Sequence, residues 1–352
     1  MFLRGSGAVA AGLLVESGVE AAPQQPAAPQ RPAAPPMPTR NLGRTGHKVG
    51  IFSLGGQAAV EIPGNEKVAI PIIERALDLG VNYIDTSWGY GGRGDGGGCS
   101  ERYIGEVMKR RRNETFLATK LDEGTRDGAL RHLDESLKKL NTDHLDLWQI
   151  HSLSTDDDLQ QIFGKDGALE AMVRARDQKM VRFLGITGHY RPEILMEAIR
   201  RFPFDTVLMA INAADRHHYS FEAELIPLAL EKQMGIIAMK IPGRRNLLSV
   251  WKPPSVEEQK SRNPNQTPVT SPGTLTIQEA MHYVLTLPVS TCIIGCDSVA
   301  HVEENVRIAR EFTPLNAQQM AALSEKARPV ADQALYFRLT AGGRPPSPAP
   351  PE

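Results

Sequence analysis

From residue 48 onward the chain alternates short apolar runs with longer amphipathic stretches. The apolar runs are 49–54, 81–86, 115–120, 144–151, 181–187, 205–212, 235–241 and 290–295, eight in all. Segments with a helical period lie between them. In 67–79, Ile70, Ile73, Ala76 and Leu77 fall at three- and four-residue spacing, and in 126–140 Leu130, Leu133, Leu137 and Leu140 do the same. Apolar strands in alternation with helices predict a parallel sheet covered on both faces. Eight such units in one domain predict the α/β class and a (β/α)8 TIM barrel. An open doubly wound sheet is the alternative, but no strand–Gly-x-Gly-x-x-Gly–helix signature stands near the start of the domain. The glycine-dense stretch 91–98 lacks the Lys-Ser/Thr ending of a phosphate loop and reads as a mobile loop.

The pattern divides the chain into a tail at 1–38, a barrel at 39–340 and a tail at 341–352. The first tail holds a small-residue apolar stretch, 7–15, behind Arg4, followed by a proline-rich segment, 22–38. It reads either as an export signal with a polyproline-type linker or as a plain disordered tail. An export signal would place the protein in the periplasm; otherwise it is cytoplasmic. No run of 18 apolar residues occurs, so no membrane span is expected. Within the barrel, 243–273 is a long insertion rich in Pro and Asn, read as a lid or as surface decoration.

Composition narrows the function. The chain has 352 residues, and 40 Lys+Arg against 41 Asp+Glu gives a net charge of −1. No basic excess is available for phosphate neutralisation, which argues against nucleic acid as a partner. With 41% hydrophobic and 23% charged residues the chain is ordinary for a soluble enzyme. Cys99, Cys292 and Cys296 have neither disulfide-framework nor metal-site spacing, so no metal is expected.

In a barrel of this class the chemistry sits where strands end. The second strand ends at Asp85, followed by Tyr90; the third ends at Lys120 and the fourth at His151. Taken singly, these are a helix cap, packing, a solvated amine and a surface imidazole. On three consecutive strands at matching heights they form a set. A phenol with an ordinary pKa near 10 needs an adjacent ammonium to exchange a proton near neutrality. Lys120 supplies that charge, Asp85 keeps it protonated, and His151 orients a substrate oxygen. Such a group suits carbonyl reduction.

These residues resemble the catalytic tetrad of the aldo-keto reductases, with the same order and the same five-residue step from Asp85 to Tyr90. The opening 41–46, Ser100-Glu101 and Glu304-Asn305 resemble that family too, over roughly 39–315. The resemblance implies a barrel that binds NADP(H) or NAD(H) across its mouth and acts on a small carbonyl or alcohol, with Tyr90 as general acid. Its implied cofactor contacts are Gly56, Thr187, Gly188, Asn212, Met239, Lys240, Gly243, Arg244, Gly295, Asp297, Ser298, Glu304 and Asn305. Several depart from the family pattern: Thr187-Gly188 replaces Ser-Asn, Leu208 a Gln, and Met239 a stacking aromatic. Asp297 stands where a basic residue often holds the adenosine 2′-phosphate, which leans toward NAD unless Arg244 or Arg307 compensates. Trp88 and Trp148 are candidate pocket walls, with Phe337 in a C-terminal segment read as one or two helices. Two other roles fit the fold: a non-catalytic nicotinamide-binding regulatory subunit, and a lyase or isomerase using Lys120 as a Schiff-base amine.

Overall fold

The computed structural model describes residues 35–92, 97–262 and 268–339; of the tail expected at 1–38 only 35–38 are described, and the tail expected at 341–352 and part of the glycine-dense loop lie outside the described residues. The chain divides after Pro35, and the barrel belongs to the second unit.

Strands β1 (Thr39–Asn41) and β2 (Lys48–Gly50) form an antiparallel hairpin. Its arginines tie it to the strand N-terminal end of the barrel. Arg40 donates to the carbonyls of Val289 (2.6 Å) and Leu285 (2.7 Å), and Arg44 to that of Phe204 (2.8 Å). The apolar run 49–54 is therefore not one strand. It bends at Ile51, between the hairpin and the first barrel strand, and because both pieces are buried the apolar pattern runs across the bend unbroken.

Eight parallel strands then close on themselves in sequence order, with the last beside the first. The units run β3 (Phe52–Gly55), α1 (Glu66–Asp78), β4 (Tyr83–Asp85), α2 (Cys99–Arg111), β5 (Phe116–Leu121), α3 (Arg126–Lys139) and β6 (Leu145–Ile150). Two helices follow, α4 (Asp156–Phe163) and α5 (Ala168–Asp177), then β7 (Val181–Gly188), α6 (Pro192–Arg201), β8 (Thr206–Ala210), α7 (Phe221–Glu231) and β9 (Gly235–Met239). The insertion carries α8 (Val256–Arg262), and α9 (Ile277–Thr286), β10 (Thr291–Gly295) and α10 (Val299–Arg310) complete the ring. Side-chain caps set several starts: Thr155 and Asp158 form a capping box on α4, and Ser298 caps α10.

Strand alternation sorts the barrel's side chains. In register, Lys120 pairs with Gln149, which points inward to Asp85; Thr119 pairs with Trp148, and Thr119 points outward to Glu101 on α2. The C-terminal segment forms three short pieces, α11 (Ala317–Ala327), α12 (Ala331–Ala334) and α13 (Tyr336–Leu339). The last two cover the C-terminal ends of β7–β9. Asn246 and Gln333 exchange hydrogen bonds of 2.9 and 2.8 Å there, and Arg338 is fully buried in an ion pair with Asp215.

Candidate active site

Asp85, Lys120 and Gln149 are aligned by the register of β4, β5 and β6. Lys120 Nζ pairs with Asp85 Oδ2 and donates to the Thr86 carbonyl at 2.6 Å. Gln149 Nε2 donates to the other oxygen, Oδ1, at 2.9 Å. Both charged groups are almost wholly buried, at 1% exposure each. The loop after β4 then turns back: the Trp88 amide donates to the Lys120 carbonyl at 3.2 Å and the Tyr90 amide to that of Ser87 at 3.1 Å. This turn brings Lys120 Nζ to 4.9 Å from the Tyr90 ring centroid. His151, just past β6, meets Tyr90 edge-on at 5.8 Å between centroids. The four residues read from the sequence therefore converge at one mouth.

Burial sets the protonation states. Burial alone would strip the proton from Lys120, but Asp85 and Tyr90 overcome it and hold the amine above its ordinary pKa. For Tyr90 burial is also the largest influence. It raises the phenol, Lys120 pulls it back, Asp85 and Glu61 push it up again, and the net direction is upward. The ammonium thus limits the rise without producing the lowered phenol expected from the sequence. Tyr90 keeps its proton near neutrality, as an acid must. His151 is lowered, by burial first and with Asp122 opposing.

Four residues of this site were not picked out from the sequence. Asp122 Oδ1 bonds His151 Nδ1, and Ser87 Oγ lies 3.3 Å from the same nitrogen. Gln149 braces Asp85 as described. His189, beyond β7, has Ser152 Oγ 3.2 Å from its Nδ1 and sits among Lys240, His151 and Lys120. Burial first, then the charges of Lys240, His151 and Lys120 when they are protonated, hold His189 far below its ordinary pKa and so neutral. A usable signal existed for two of them. Asp122 stands two residues past Lys120, and Gln149 two before His151, which is the same-face step of a strand.

The expected cofactor residues divide. Lys240 reaches the mouth at a left-handed φ of 62°, and its Nζ donates to Gln57 Oε1 at 2.8 Å. Burial, then Arg244 and Lys120, push its pKa down to about 7. Arg244 is exposed, also left-handed, on the loop that Gly243 opens. Ser298 caps α10, and Gly295 ends β10 against Gly55. Gly56 donates its amide to the Asp85 carbonyl at 2.6 Å.

Others are committed to the fold. Thr187 Oγ1 accepts the Ser152 amide at 2.8 Å, and Gly188 is buried against Leu195. Asn212, fully buried, donates to the carbonyls of Lys240 (3.2 Å) and Ala334 (3.4 Å), so its amide holds the C-terminal segment. Met239 is only 6% exposed. Asn305 turns inward to Cys296 Sγ at 3.5 Å, while Glu304 is exposed. Asp297 is paired with Arg245, which offsets the negative charge that disfavoured a 2′-phosphate; Arg307 pairs with Glu311 instead.

Both tryptophans pack against the helix layer. Trp148 is fully buried on the strand face opposite Gln149, toward the helices. Trp88 stacks on His132 of α3 at 3.7 Å and donates to Glu135 at 2.7 Å, so α3 takes its face. Phe337 does reach the mouth, edge-on to His189 at 6.1 Å.

Comparison with known proteins agrees with this geometry. The chain matches the Aldo/keto reductase family over residues 49–328. It is 28% identical to L-galactose dehydrogenase of Arabidopsis thaliana, over 80% of this chain and 90% of that one. It is 25% identical to an uncharacterised oxidoreductase of Bacillus subtilis, over 78% and 91%. An aldo-keto reductase of Bacillus halodurans, solved in its holo form, superposes with a TM-score of 0.65 at 25% identity, covering 83% of this chain and 96% of the other. The chain belongs to the aldo-keto reductase family and is an oxidoreductase that reduces small carbonyl compounds with NADP(H) or NAD(H).

Proposed function

We propose that Tyr90 is the general acid of this reductase, with Lys120 and Asp85 setting its charge environment and His151 holding the substrate oxygen. The nicotinamide, when bound, supplies the hydride that reaches the carbonyl carbon. As that bond forms, the Tyr90 hydroxyl gives its proton to the carbonyl oxygen, and the product is the alcohol. Lys120 remains cationic and stabilises the phenolate left behind. The reverse steps oxidise an alcohol. The observation that carries this reading is the buried Lys120 ammonium, gripped by Asp85 and set against the Tyr90 ring.

The same grip disfavours the Schiff-base role for Lys120, since an amine held protonated is not a nucleophile. The intact tetrad also leaves the non-catalytic role without support.

The donor set at the mouth fits a dinucleotide. Lys240, Arg244 and Arg245 line one side, and the capped N-terminus of α10 with Ser298 offers backbone amides to phosphate. We assign the phosphate contacts to Lys240, Arg244 and Ser298. Asn212 and Asn305 are excluded from them by their inward bonds. Because Asp297 is neutralised by Arg245, NADPH is accepted alongside NADH. An aldehyde, ketone and aldose panel with each cofactor tests the assignment. Turnover that disappears in Tyr90→Phe supports it, and turnover unchanged in that variant removes Tyr90 from the chemistry. An NADH preference above about 100-fold in kcat/KM, roughly 2.7 kcal/mol, would show that Asp297 still repels the 2′-phosphate.

A further inference from the structure

We propose that Asp122 is a positioning residue for His151: its carboxylate, with the Ser87 hydroxyl, holds Nδ1 and leaves Nε2 as the ring nitrogen that meets the substrate oxygen. This rests on the reductase reading above and adds a fifth residue to its machinery. Asp122 follows β5 and His151 follows β6, so two adjacent strand ends carry the pair. The Asp122 side chain is 7% exposed and that of His151 16%, so the contact is shielded from water on both sides. Ser87 approaches the same nitrogen from the loop after β4 at 3.3 Å. Among the described residues nothing bonds Nε2.

The consequence is chemical. A carboxylate accepts only, so it places the imidazole proton on Nδ1. The neutral ring then shows a lone pair at Nε2 and accepts a hydrogen bond, as an alcohol hydroxyl requires. The protonated ring shows Nε2–H and donates one, as a carbonyl oxygen requires. Asp122 thereby ties the role of His151 to its charge, in the manner of a carboxylate that fixes the tautomer of a catalytic histidine. The charged and titratable groups facing the ring are Asp85 and Tyr90 from the β4 side, Lys120 and Asp122 from β5, and His189 from β7. Lys120 disfavours the imidazolium; Asp122 is the nearest group favouring it, with Asp85 assisting.

The test is nitrogen-15 NMR of the full chain, with His151 assigned by comparison with His151→Gln. Neutral His151 should carry its proton on Nδ1. In Asp122→Asn the His151 titration midpoint should fall by about one pH unit, a tenfold change in proton affinity. The kcat/KM for aldehyde reduction should drop about ten-fold or more, and its pH profile should move with the midpoint. NAD(P)H affinity should stay within about two-fold, and Asp122→Glu should restore part of the loss. A neutral His151 protonated mainly on Nε2 in the wild-type protein overturns the proposal, and that measurement stands even if the variants do not fold. A pH profile superimposable on wild type, or lost activity with no shift and no rescue by Glu, overturns it as well. Failure of the reductase reading looks different: no carbonyl substrate turns over although the Nδ1 tautomer is present.

Discussion

Tyr90, Lys120, Asp85 and His151 show how burial changes the chemistry of ordinary side chains. Replacing Tyr90 with Phe removes the proton donor but keeps the ring against Lys120, so kcat should fall by about 10²-fold or more while NAD(P)H affinity, read by fluorescence quenching, stays close to wild type. Lys240 offers a pH test. Its pKa of about 7 means the ammonium is present below that pH and lost above it. NADPH affinity should therefore be full below pH 7 and weaken as the pH rises. In Lys240→Met the dependence should flatten, with affinity at pH 6 lowered about tenfold, roughly 1.4 kcal/mol. An unchanged slope in that variant would place the phosphate elsewhere. The tetrad was legible in the sequence because Asp85, Lys120 and His151 end apolar runs and Tyr90 follows Asp85 by five residues. His189 was not, and Asp122 offered only its same-face step from Lys120, because their roles depend on which strand ends are neighbours in space.

The strands and helices themselves were largely written in the hydrophobic period. α1 and α3 begin and end within a residue or so of the segments their leucines and isoleucines marked. The first apolar run misled, since a hairpin strand and a barrel strand are equally apolar when both are buried. The insertion also holds more structure than its Pro and Asn content suggested: Gln259 of α8 bonds Pro254 and Val269 through 2.7 and 2.8 Å contacts. Gly56, just beyond β3, has a role that only packing reveals. A Cβ there would stand 2.6 Å from Ser100 Oγ and 2.9 Å from the Asp85 carbonyl. Gly56→Ala should cost about 1–3 kcal/mol in urea unfolding and lower kcat by displacing Asp85. Wild-type stability in that variant would show that the strand end yields more easily than its contacts indicate.

At the scale of the molecule, α12 and α13 cover part of the barrel mouth. Arg338 donates to the carbonyls of Ala210 (2.6 Å) and His218 (2.7 Å) and pairs with Asp215, with neither side chain exposed. Its guanidinium also lies 4.5 Å from the centroid of the Phe221 ring. Arg338→Met leaves Asp215 buried without its cation and should destabilise the protein by about 3–5 kcal/mol in denaturant titration. Because α12 and α13 cover β7–β9, the variant should also change the NAD(P)H association rate; identical unfolding midpoints would show the pair to be dispensable.

By itself the sequence determined the repeating strand–helix order, the closed parallel barrel that order builds, and the four chemical groups at its strand ends, because periodicity and strand termini are local properties of the chain. Tertiary structure alone decided that Asn212 bonds the Lys240 and Ala334 carbonyls and Asn305 turns to Cys296, that Trp148 faces the helices, that Arg245 pairs with Asp297, and that Asp122 bonds His151. Each of these depends on a distance between residues remote in sequence, and on the burial that makes an unpartnered charge or amide costly.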